Sequence, residues 1–88
     1  MWVQINDVGG RLGAVELAPK LYALLREHGV HKPEARPDSY WDEFDNETFV
    51  VIVRAWDNLS PEKDGELRQA VVDFCSEQPG GDLRVVDV

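Results

Sequence analysis

Asp38-Ser-Tyr-Trp-Asp-Glu-Phe-Asp-Asn-Glu47 runs straight into Thr48-Phe-Val-Val-Ile-Val-Arg-Ala-Trp56, and how this stretch is read decides the fold. Its first ten residues hold five acids and three aromatics, and residues 49–53 form the longest unbroken apolar run in the chain. A run without alternation predicts a strand covered on both faces, as at the centre of a parallel sheet. The ten residues before it admit two conformations. A short helix capped by Asp38 or Ser39 would put Tyr40, Trp41 and Phe44 on one face and Asp38, Asp42 and Asp45 on another. A strand over 39–44, in a hairpin with 49–54 that turns near Asn46, would set Asp42 between Tyr40 and Phe44 on one face. That mixture suits neither core nor water, so the pattern favours the helix.

Working outward, residues 2–6 alternate weakly, with Val3 and Ile5 on one side, and Gly9, Gly10 and Gly13 then break the strand. Their spacing is not that of a phosphate-binding loop, and a turn needing positive φ explains them. Leu17, Leu21, Leu24 and Leu25 form a helical stripe. Pro19 fits the first turn of that helix, and Gly29 fits the position just past its end, with Val30 packing back on Leu25. His28 and His31 straddle this stop without a third ligand, so no metal is expected. Residues 31–37, with two prolines, read as a loop.

Downstream, Ser60-Pro61 is a cap followed by a first-turn proline. Leu67, Ala70, Val71, Phe74 and Cys75 then share one helical face, so Cys75 reads as a small core side chain. Pro79-Gly80-Gly81 stops the helix, and residues 83–88 close the chain as a strand. The expected fold is α/β, a small three-stranded parallel sheet flanked by helices. If residues 39–44 are instead a strand, the order becomes βαββαβ, a ferredoxin-like α+β sandwich.

Eighty-eight residues make a single domain, 1–88. With no apolar stretch near the ~20 residues that span a bilayer and no secretory pattern, the chain is expected in the cytoplasm, where a lone cysteine is at home. The net charge of −8 is lopsided: residues 1–37 sum to +1 and residues 38–88 to −9. That balance disfavours direct nucleic-acid binding, which draws on Lys and Arg, and favours a basic protein partner.

Asp38-x-x-Trp41-Asp42, followed by an apolar strand ending at Trp56, then an amphipathic helix, then Gly-Gly-Asp-Leu-Arg-Val-Val, resembles the barstar family of intracellular ribonuclease inhibitors. Ile5-Asn6 in the first strand also matches. Two features depart from that family. Residues 31–37 lack its tyrosine- and glycine-containing loop, and its acid on the final helix has no clean counterpart, Glu77 lying one position away. The resemblance implies the parallel-sheet fold, with Asp38 and Asp42 entering a basic nuclease site and Trp41 packing behind them.

The leading expectation is therefore an inhibitor or immunity protein that blocks a basic nuclease through an acidic helix, with Asp38, Trp41, Asp42, Asp45 and Glu77 binding the partner. Carboxylates at i and i+4 can stand where phosphates would. The alternative is an acidic ferredoxin-like interaction module, or a phage-type antagonist of a nucleic-acid-binding complex, which a hairpin at 39–44 would favour. An enzyme is not expected. Asp42, Glu43, Asp45 and Glu47 could supply paired carboxylates or Mg²⁺ ligands, but no pocket-forming motif accompanies them. No cofactor is expected.

Overall fold

A computed structural model describes residues 1–79 and 82–88. The element order is β1 (Trp2–Asn6), α1 (Gly10–Glu27), β2 (Pro33–Trp41), β3 (Glu47–Ala55), α2 (Pro61–Ser76) and β4 (Arg84–Asp87). The four strands form one sheet in the order β2-β3-β1-β4, and every neighbouring pair is antiparallel.

The three-stranded parallel sheet is therefore incorrect, and so is the helix over 39–44. The hairpin between β2 and β3 overturns both. Residues 33–41 pair one-to-one with 47–55. β1 and β2, joined through α1, both run antiparallel to β3, so they are parallel to each other but never adjacent. The same holds for β3 and β4, with β1 between them. A helical crossover does restore strand direction, but here each crossover skips over one strand. The result is the βαββαβ order of the ferredoxin-like sandwich.

Of the apolar run 49–53, residues 50–53 lie in an interior strand and are buried on both of its faces, and Phe49 is partly buried. Val51 and Val53 face the helices and are fully buried with Val3 and Ile5, beneath Leu17, Leu21 and Leu25 of α1 and Leu67, Val71 and Cys75 of α2. Burial of a side chain such as Leu21 or Leu25 contributes about 2 kcal/mol. Val50 and Ile52 face away from the helices and are nevertheless buried. The register sets Ile52 between Gln4 and Arg36, and Val50 beside Asp38, so neighbouring stems cover them.

Helix ends follow local chemistry. The Val30 N–H donates to the Leu25 carbonyl at 3.1 Å, past Gly29 at φ 83, which closes α1 as the sequence indicates. Ser60 Oγ accepts from the Lys63 N–H at 3.1 Å and opens α2, with Pro61 in its first turn. Pro19 departs from expectation. It lies inside α1, which begins nine residues earlier, at Gly10. Pro19 and Val15, four residues before it, are both exposed, so the carbonyl that loses its partner faces water. Gly13 is required for another reason: a Cβ there would collide with the Val8 carbonyl oxygen. α2 ends at Ser76, three residues before Pro79 of the expected stop, and the glycine pair 80–81 that completes that stop lies outside the described residues.

Candidate protein-binding site

β2 and β3 are nine residues each, whereas β1 has five and pairs with β3 only over 51–54. The far end of the hairpin, residues 39–49, therefore runs past β1 as a two-stranded arm, and the molecule measures 40 × 25 × 17 Å.

The arm's tip is built by one carboxylate. The Asp42 N–H donates to the Asn46 carbonyl at 3.0 Å, which closes the ladder and leaves a three-residue tip, 43–45. The Asp45 N–H returns to the Asp42 carbonyl at 3.2 Å, and Asp45 takes φ 58, the left-handed region that such a loop needs at its last position. Asp42 Oδ1 accepts from the N–H groups of Phe44 at 2.8 Å and Asn46 at 2.9 Å. Donation from Asn46, and then from Phe44, holds the Asp42 carboxyl below the usual carboxylate range.

Large aromatic side chains stand free around this turn. Phe44 is 76% exposed and Trp41 65%. Trp41 was expected to pack behind the acids. It lies instead on the helix side of β2, beyond the end of α1, and finds nothing to cover it. Below it, Ser39 Oγ donates to Glu47 Oε2 at 2.6 Å, beside a cleft of about 470 Å³ between the arm and the first turns of α1.

The sequence-derived site residues are thus divided. Asp38 and Trp41 sit on opposite faces of β2, since three positions separate them. Asp42 is turned inward to its own backbone and Asp45 is at the tip. Glu77 is the C-cap of α2, which packs toward β4, at the opposite edge of the sheet from β2. Asp38 is instead part of a ladder on the helix-free face: the Arg36 guanidinium lies 2.7 Å from Glu34 and 3.0 Å from Asp38. The Ser39 N–H, and then Arg36, lowers the Asp38 pKa.

Sequence reasoning missed a second group on that face. The Arg54 guanidinium lies 4.1 Å from the centre of the Trp2 ring and 3.5 Å from that of Trp56. Trp56 Nε1 donates to Glu34 Oε1 at 2.8 Å, the main cause of a lowered Glu34 pKa. Arg54-x-Trp56 was a legible signal, because residues two apart on a strand share a face. Asp57 was missed as well. It accepts from the N–H groups of His31 and Lys32, each at 2.7 Å, and so pins the base of the hairpin.

The outer edge of β2 is blunted against strand pairing. Trp56 N–H donates to the Lys32 carbonyl and Asp42 N–H to that of Asn46, so even-numbered residues of β2 bond inward to β3 and odd-numbered ones face outward. Pro33 and Pro37 remove two outward donors, and Asp38 Oδ1 occupies a third, the Ser39 N–H, at 2.8 Å.

Among the described residues, no three or more His, Cys, Asp or Glu side chains are grouped to hold a metal ion. Cys75 is buried, which pushes its thiol pKa up to about 11. No described helix is long and apolar enough to cross a membrane. No family model matches the chain, and no curated protein or solved structure matches it.

Proposed function

We propose that this chain is an acidic interaction module that docks on a basic protein through the tip of the β2–β3 arm. The observation that carries this reading is the pair of exposed aromatics, Trp41 and Phe44, on a carboxylate-locked turn that also carries Glu43 and Asp45. Rigid aromatic anchors beside desolvatable charge are what binding hot spots are made of. The charge of −8 draws a basic partner from a distance, and the aromatics then supply contact area. Because the β2 edge is blunted, docking uses side chains at the tip rather than an added strand.

A basic surface built for nucleic acid, on a nuclease or a nucleic-acid-binding complex, is one that such an acidic tip would fit. The barstar-like version, with Asp38, Trp41 and Asp42 entering one site together, is not favoured by the geometry, since they do not share a face. The module reading is tested by affinity for a panel of basic nucleases and nucleic-acid-binding proteins. Trp41→Ala and Phe44→Ala should each weaken binding by about 2 kcal/mol or more while leaving the fold unchanged. Binding that ignores both substitutions would remove the tip from the interface.

A further inference from the structure

The helix-free face of the sheet is a second surface, distinct from the arm tip. All registers join residues of equal parity, so every even-numbered strand residue points to this face. Trp2, Tyr40 and Trp56 stand on it, each between 43% and 55% exposed. Two of these rings are held in place by Arg54, and Trp56 is also tied to Glu34. Fixed Trp and Arg side chains around a partly apolar centre are the composition of interface cores.

The charge on this face selects the occupant. Glu34 and Asp38 oppose Arg36, Arg54 and Arg84, so the face carries +1 and the remaining surface of this −8 chain carries −9. Nucleic acid meets an acidic protein here, with Arg36 already bound to two carboxylates. A second copy of the chain meets both signs on this face, away from the acidic surface of residues 57–77.

The geometry is also self-complementary. Asp38 on β2 pairs with Val50, and Arg84 on β4 pairs with Asn6. Extending the β1–β3 register by one residue sets Asn6 beside Val50, so Asp38 and Arg84 mark the two ends of a single row across the sheet. A two-fold axis along the strands lays the order β2-β3-β1-β4 over its own reverse. Each Asp38, which also holds Arg36 of its own chain at 3.0 Å, then stands over Arg84 of the other copy, whose own neighbour Asp7 lies at 3.9 Å, giving two symmetric ion pairs that extend these contacts.

We propose that this chain forms a homodimer through its helix-free sheet face, with Asp38 of each copy facing Arg84 of the other. Four strands about 4.8 Å apart and about seven residues long give a footprint of roughly 400–450 Å² per copy. Over both copies that is about 800–900 Å², in the class of weak, transient contacts, so the dimer is a reversible one.

The test is sedimentation velocity of the whole chain across a micromolar concentration series, with circular dichroism to confirm folding. The expected result is a concentration-dependent dimer. Asp38→Arg and Arg84→Asp should each raise its Kd by about tenfold or more. The double variant Asp38→Arg/Arg84→Asp should return it to within about threefold of the parent. A chain that stays monomeric throughout the series overturns the proposal, as does a dimer indifferent to both single reversals or one that the double variant fails to restore. Binding of a single-stranded oligonucleotide that Trp2→Ala and Trp56→Ala abolish would give the face to nucleic acid and also overturn it.

Discussion

The two ends of one hairpin make an instructive contrast. At its base, Ala35 and Val53 lie under α1, and Asp57 clamps the incoming backbone at His31 and Lys32. At its tip, the same strands in the same register have no helix beneath them, and Asp42 alone shapes the turn. The base is held by burial, and the tip by local hydrogen bonds. A binding element can therefore project from the domain without depending on the core for its shape.

Removing core from the base should have the largest effect on stability. Val53→Ala is expected to cost about 2 kcal/mol in urea unfolding, because two buried methyls leave a cavity between the sheet and α1. Next is the start of the second helix, where Ser60→Ala should cost about 1 kcal/mol by the same measurement. Trp41→Ala and Phe44→Ala should change unfolding by less than about 0.5 kcal/mol, despite the size of the rings lost. A tip substitution as costly as Val53→Ala would show the arm to be part of the core after all.

Asp42→Ala sharpens the contrast from the other side. The amide resonances of Phe44 and Asn46 should move toward random-coil positions, while those of His31 and Lys32 stay in place. Asp57→Ala should do the reverse.

Acid should separate the two ends more gently. The folded-state pKa values of Asp42 and Asp57 are depressed by backbone N–H donors, so their stabilising contributions are fully present above the unfolded carboxylate value of about 3.9. They are lost as pH falls through the depressed folded values. Lowering the pH below about 4 should loosen the Phe44 and Asn46 amides before the sheet unfolds, because the base retains its buried side chains. Simultaneous loss of both sets in an NMR titration would contradict that order.

The sequence made some of this contrast readable. α2 and the second half of α1 follow from stripe and cap, Leu67–Val71–Cys75 after Ser60-Pro61 and Leu21–Leu25 with Gly29, but the turns of α1 before Pro19 do not, because a proline inside a helix reads as its start. β3 is legible as a buried strand because its apolar run is unbroken. β2 is not. Pro33, Glu34, Arg36, Pro37 and Asp38 have the composition of a loop, and both prolines are tolerated because their missing donors face an open edge. That is a property of tertiary position, absent from any local pattern. The helix preferred for 39–44 rested on the poor fit of Asp42 between two aromatics. The fit is poor only if Asp42 points outward, and its carboxylate folds back on the backbone instead. The acid cluster was visible, but the separation of Asp38 from Trp41 follows from strand geometry.

The closure of the tip by Asp42 has one further consequence. Its hydrogen bonds end on backbone groups, so the side chains at Glu43 and Phe44 are not needed to form the turn. Those two positions are interchangeable lettering on a fixed mount. The arm can be rewritten for a new partner, by drift or by grafting, while the domain that carries it stays the same.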